Sequence, residues 1–158
     1  FDEALKRYND KQTRKDRKID DYYEKIRSGK QEKLFHEVIL QIGDKDNMGS
    51  ETMEGQLAAK ILDEYMKGFQ ERNPTLRVFA AHLHLDEATP HLHIDFIPYV
   101  TGSKRGLDTR VSLKQALSSL GFKGGSRSET ELNQWVQSEK EKRKKEQNRL
   151  PLIRPYYC

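Results

Sequence analysis

Residues 82–95 read His-Leu-His-Leu-Asp-Glu-Ala-Thr-Pro-His-Leu-His-Ile-Asp, two stretches of strictly alternating polar and apolar side chains separated by a short polar break containing Pro90. A period of two puts alternate side chains on opposite faces of an extended chain, whereas a helix would scatter them around its circumference. Extended to residues 77–85 and 91–99, the two stretches predict strands joined by a tight connection, an antiparallel hairpin. One face of it carries Leu83, Leu85, Leu92, Ile94 and Phe96 and has to be covered; the other carries His82, His84, His91, His93 and Asp95. The remainder of the chain must supply a hydrophobic layer for the first face.

Four of the five histidines fall in this hairpin. If the strands pair about the connection, His84 lies across from His91 or His93, close enough for their side chains to converge on one ion. Three imidazoles, those of His84, His91 and His93, then make a divalent-metal site with an open coordination position. His82 sits one pleat repeat further from the turn and is expected outside that set, while Asp95 is placed to orient a ligand imidazole. Glu87, in the connection, is the candidate catalytic carboxylate: a base, a positioner of the nucleophile, or a further ligand, against the plain alternative of a surface loop residue. Asp86 suits the turn itself. A structural zinc site would use the same residue types in a closed four-ligand shell, so an open position is what points to catalysis. A metallo-hydrolase is the enzymatic rival, because His82-x-His84-x-Asp86 begins like the His-x-His-x-Asp-His motif of the metallo-β-lactamase fold; Glu87 stands where that motif requires His. A zinc-stabilised, non-catalytic DNA-binding module is the other.

Around the hairpin the periodicities alternate between helix and strand. Residues 1–29 are rich in charge, with Leu5, Tyr8, Ile19, Tyr22, Tyr23 and Ile26 spaced like the buried stripes of two surface helices, broken near residues 12–17 and ended by Gly29. Residues 34–42 read as a buried strand and 43–50 as a loop. From Glu51 to Phe69 apolar residues recur every three or four positions until Asn73 and Pro74 stop the helix. Ser112 with Gln115, and Ser128 with Glu131, are capping-box patterns that open two more helices, the first closed by Gly121. The last helix carries Leu132, Trp135 and Val136 and then becomes a run of Glu, Lys and Arg, expected to fray or project into solvent.

Cysteine usage narrows the chemistry. The only cysteine is Cys158, the final residue, so no intrachain disulfide forms and any metal must use His, Asp or Glu. No run approaches the roughly 18 apolar residues of a membrane span, and no signal segment opens the chain, so a cytoplasmic location is expected. Residues 43–72 are net acidic and 101–158 net basic, an asymmetry that suits a nucleic-acid-facing side or an ordinary solvated surface.

The hairpin motif His-x-Asp-Glu-x-Thr-Pro-His-x-His, from His84 to His93, resembles the metal motif of the Mob/Pre plasmid mobilisation and recombination relaxases. The resemblance extends to Lys30-Gln31-Glu32-Lys33-Leu34-Phe35 and the strand after it, and to Glu129-Thr130-Glu131-Leu132-Asn133-Gln134-Trp135, covering roughly residues 1–142. It implies an α+β fold, an antiparallel sheet flanked by helices and like that of HUH endonucleases, with charged helical extensions. It implies a divalent ion, manganese or magnesium with zinc as a further candidate, on His84, His91 and His93, and a role for Glu87 near the nucleophile. The implied reaction is transesterification at a transfer origin, with single-stranded or origin DNA as partner and mobile-element transfer proteins beyond it. Lys104, Arg105, Arg110 and Lys114 are candidate phosphate contacts. The family's amino-terminal His-Asn-x-Arg motif, which supplies its nucleophile, does not occur in the sequence. The chain opens at Phe1 already in a helical pattern, so that motif is expected upstream; Tyr8, Tyr22 and Tyr23 are conceivable substitutes whose spacing favours packing. The expected organisation is a relaxase domain over residues 1–142, lacking its amino-terminal segment, and a charged tail over 143–158.

Overall fold

The computed structural model describes residues 1–43, 49, 51–86 and 89–149. Its centre is the hairpin: β2 (Leu76–His84) and β3 (His91–Val100) pair antiparallel. On the other side of β3 runs β1 (His36–Gln41), also antiparallel, giving the order β1-β3-β2, and the short β4 (Arg110–Val111) continues the sheet beside the carboxy-terminal end of β3. The fold is thus α+β, a four-stranded antiparallel sheet flanked by helices.

Register decides which face each histidine occupies. In an antiparallel pair, directly opposed residues share a face. Leu76 and Val78 oppose Pro98 and Phe96, on the covered face. The pairing then slips between Val78 and Ala80, leaving Phe79 as the extra residue of a β-bulge. Beyond the bulge the parity of β2 is inverted: His82 opposes His93 and His84 opposes His91, on the bare face, while Ala81 and Leu83 oppose Ile94 and Leu92. Without that residue the even-numbered positions of β2 would stay on one face, and His82 and His84 would follow Leu76 and Val78 into the core.

The covered face packs on α3 (Met53–Lys67), α4 (Phe69–Arg72), α5 (Leu113–Ser119) and α6 (Glu131–Arg149). Ala58, Ile61, Leu62 and Tyr65 of α3 meet Leu40, Leu92, Ile94 and Phe96 of the sheet, with Ala116, Leu117 and Trp135 closing the layer. Each such leucine, isoleucine or phenylalanine side chain contributes roughly 1.5–3 kcal/mol of transfer free energy. Thr52 caps α3, its hydroxyl accepting from Gly55 N–H, and Ser112 caps α5 by accepting from Gln115 N–H. Gly121, just past α5, turns the chain at φ 101°, a region that disfavours other residues.

A second, smaller core holds the amino-terminal helices α1 (Asp2–Asp10) and α2 (Tyr22–Ser28), joined through one 3-10 turn at Lys15–Arg17. Ala4, Ile19 and Tyr22 pack with Leu107 and Val111, and Ile97 reaches them from the bare face of the sheet, so these helices cover that face only at the β4 end.

Two expectations fail at α6. Its cap is Thr130, whose Oγ1 accepts from Asn133 N–H at 3.2 Å, and not Ser128. Nor does its charged stretch simply project into solvent. Trp135 and Glu139 are both buried. The Trp135 indole N–H donates to Asn73 Oδ1 at 2.9 Å. Glu139 accepts from the Tyr65 hydroxyl, from Arg72 at 3.2 Å and from Lys142 at 3.0 Å, and Arg143 reaches Gln41 O at 2.7 Å. A helix short of apolar residues docks through a satisfied buried carboxylate instead. Burial works against ionisation of Glu139, but the Tyr65 hydroxyl and the two cations outweigh it and hold the carboxyl below its ordinary range. The same burial and the neighbouring carboxylate push the Tyr65 phenol far up, so it remains a donor. The loop expected over residues 43–50 lies largely outside the described residues.

Candidate metal centre

His84, at the end of β2, and His91 and His93, at the start of β3, project from the bare face at the turn end of the hairpin, remote from α1 and α2. Each offers a ring nitrogen, and these nitrogens all lie within 4.8 Å of one another. The rings of His84 and His91 stack at 4.9 Å and 8°, as directly opposed residues do, and the ring of His93 stands 4.8 Å from that of His84 at 66°. All three are half-buried: supported by the sheet beneath and accessible from above.

Hydrogen bonds orient two of the three rings. His91 Nδ1 is 3.0 Å from Thr89 O, and a carbonyl only accepts, so Nδ1 carries the proton and Nε2 the lone pair. His93 Nδ1 is 3.1 Å from Glu37 Oε2, which selects the same tautomer. The residues therefore fit a metal ion: one ring nitrogen from each of three imidazoles gathers within 4.8 Å, the Nδ1 of His91 and of His93 is held by an acceptor, and three protein donors leave room for a further ligand.

Of the two partners expected for His84, the register selects His91. His82 opposes His93 but is exposed, its ring 6.4 Å from that of His84, and it takes no part in the convergence. Asp95 shares the face, yet the carboxylate that orients His93 is Glu37 of β1, and Thr89 O serves His91; expecting Asp95 in this role looked along one strand when the partner came from the next. Asp86 Oδ1 is 3.8 Å from His84 Nδ1, beyond a hydrogen bond. Glu87 lies outside the described residues. Glu37 carried no signal of its own in the sequence, because only the pairing of β1 with β3 sets it opposite Asp95 and beside His93.

The candidate phosphate contacts gather elsewhere. Lys104 and Arg105 are exposed on the connection before β4, Arg110 lies in β4 opposite Val100, and Lys114 is on α5, 3.9 Å from Glu131. From His93 to Val100 the strand covers about 23 Å at ~3.3 Å per residue, so these cations do not surround the histidines. The Nε of Arg110 is sealed from solvent with no acceptor. Tyr22 is buried, its hydroxyl accepting from Val111 N–H at 2.9 Å, and Tyr8 packs against the same core, which accounts for both as packing residues. Tyr23 is 44% exposed.

Fold and site together define an α+β protein with a three-histidine centre on the bare face of an antiparallel sheet. The chain belongs to the plasmid recombination enzyme family, Mob/Pre, whose sequence profile matches residues 1–149. Neither the characterised proteins nor the solved structures contain a significant match. A plasmid recombination enzyme acts on DNA, so this is a DNA-processing class with DNA as its substrate. No helix among the described residues is long and apolar enough to cross a membrane.

Proposed function

We propose that the chain is the metal- and DNA-binding part of a relaxase with an HUH-type site, which nicks one strand at a plasmid or mobile-element transfer origin. The observation that carries this reading is the convergence of His84, His91 and His93 on an accessible sheet face in a family of plasmid recombination enzymes. His84, His91 and His93 hold the ion, and Glu37 and Thr89 O fix the tautomers that let His93 and His91 do so. When bound, a divalent ion, manganese or magnesium with zinc compatible with the donors, supplies positive charge to a non-bridging oxygen of the scissile phosphate.

In the transesterification a side-chain nucleophile attacks phosphorus, the bond to the 3′ oxygen breaks, the 5′ phosphate stays on the protein and the 3′ hydroxyl leaves; the phosphodiester energy is retained for rejoining. The nucleophile belongs to the family's His-Asn-x-Arg motif, and Glu87, next to Asp86 in the motif, positions or deprotonates it. Lys104, Arg105, Arg110 and Lys114 hold the backbone of single-stranded origin DNA away from the reacting centre. Transfer proteins of the same element are the further partners, and residues 1–142 form the working domain with 143–158 as its tail.

The test uses calorimetry with manganese and nicking of an end-labelled origin strand by a chain that carries the His-Asn-x-Arg motif. His91→Ala or His93→Ala is expected to abolish both metal binding and nicking. Glu87→Ala should lower the nicking rate by about 10²-fold or more with metal affinity retained. Metal-dependent folding with no cleavage of any strand overturns the proposal in favour of a zinc-stabilised binding module.

A further inference from the structure

The bare face of the sheet is not uniformly polar. Phe35, just before β1, is 53% exposed and Phe79, the bulge residue of β2, is 54% exposed, yet they touch each other across β3, ring centroids 5.7 Å apart and perpendicular. Two half-exposed phenylalanines in mutual contact on an open sheet face leave unsatisfied apolar area that folding did not need to place there. A second copy of the chain is a poor match for it: together the rings offer roughly 200 Å², against about 800 Å² per partner in a stable interface.

We propose that Phe35 and Phe79 form a stacking platform for a base of single-stranded DNA, beside the phosphate held at the histidine cluster. This rests on the function proposed above and names the residues that grip the strand. Position favours it first. Phe79 lies between the partners of Phe96 and Asp95, and so two to three residues from His93 along β3, about 7–10 Å. That equals two or three nucleotides at the ~3.4 Å spacing of stacked bases. Electrostatics favours it second. Between rings and histidines the face carries Glu37 and Asp95, which repel phosphates, so a strand crossing this row must lay bases on it and carry its backbone along the flank. Exposed Arg77, opposite Ile97, and exposed Lys33, two residues before Phe35, supply positive charge at that flank. Shape favours it third: a cavity of about 610 Å³ opens beside Phe35, with Tyr23, Ile26 and Leu34 in its wall, large enough to admit a nucleobase next to the ring, and its charged lining is mixed, Arg27 and Lys33 against Asp21, Glu24 and Glu32, so it takes a base and not a phosphate. Every base has a π-face, so such a platform holds the strand without reading its sequence.

The experiment measures anisotropy of a labelled oligothymidine of about 12 nucleotides, and of the same length of abasic strand, with the full chain and its Phe35→Ala, Phe79→Ala and Phe79→Trp variants. Each alanine variant is expected to lose roughly tenfold in affinity for oligothymidine and little for the abasic strand, with an unchanged salt slope because no phosphate contact is removed. Phe79→Trp should retain affinity and show indole quenching when the strand binds. Manganese affinity, read by calorimetry, stays the same in all three. A base-dependent loss in a chain that binds no manganese keeps the platform and removes the metal reading. Equal losses on both strands, no loss on either, no binding of the unmodified chain to oligothymidine, or a platform-dependent change in sedimentation without an effect on DNA overturns the platform.

Discussion

On one side of the sheet β3 presents Leu92, Ile94 and Phe96, each no more than 2% exposed; on the other the same strand presents His91, His93 and Asp95, none of them buried. The covered side is closed by four helices, and two of its deepest polar side chains are paired, Trp135 with Asn73 and Glu139 with Tyr65, Arg72 and Lys142. On the bare side Thr89 O and Glu37 orient His91 and His93, and the histidines stay accessible from solution. Stability and chemistry are thereby divided between alternate residues of single strands. The lesson is that a site built this way can lose its function with no loss of fold.

The division is broken most directly from the covered side. Trp135→Ala should cost about 3–5 kcal/mol in urea denaturation, since it empties the centre of the layer and orphans Asn73 Oδ1, whereas His91→Ala should stay within ~1 kcal/mol of the unaltered chain. Equal losses would mean that the histidines, too, hold the fold.

A finer cut is made on the bare side. Glu37→Gln removes the carboxylate that orients His93 and is expected to lower manganese affinity by roughly 10–100-fold in a calorimetric titration, with the urea midpoint unchanged. An unaltered affinity would show that the sheet alone orients the ring.

The smallest effect is a pH dependence that belongs to the covered side. His36 stacks on Phe96, its Nε2 buried with no partner, and burial, with Lys33 nearby, pushes its pKa below 6.5. The unfolded chain therefore binds a proton more readily; the contribution is fully present above 6.5 and is lost as pH falls from there through the lower folded value. Glu139 follows at more acid pH: its depressed carboxyl contributes above about 4.5, and that contribution is lost as pH falls through its folded value. Urea midpoints measured from pH 8 to 4 should fall first by the His36 component, which His36→Phe removes.

Much of this was legible in the residue order. Alternation in residues 82–95 specified two strands and the common face of the histidines on each, because side-chain direction in an extended chain depends only on residue spacing. The strong period of residues 51–69 specified α3 for the same reason, and the fixed spacing from His84 to His93 carried the family. These are short-range properties, set within a few bonds.

Tertiary structure decided the rest, wherever the partner lay far along the chain. The bulge at Phe79, which reconciles inward Leu76 and Val78 with outward His82 and His84, exists because both sets of side chains had to be satisfied against β3 at once. Glu37 became the partner of His93 only through the register of β1, 56 residues away. Glu139 could be buried only because Tyr65 of α3 and Arg72 of α4, 74 and 67 residues earlier in the chain, supply a hydroxyl and a guanidinium that offset its desolvation. Local spacing says which way a side chain points; which group it meets there depends on pairings between segments that have no common period, and only the folded chain brings those together.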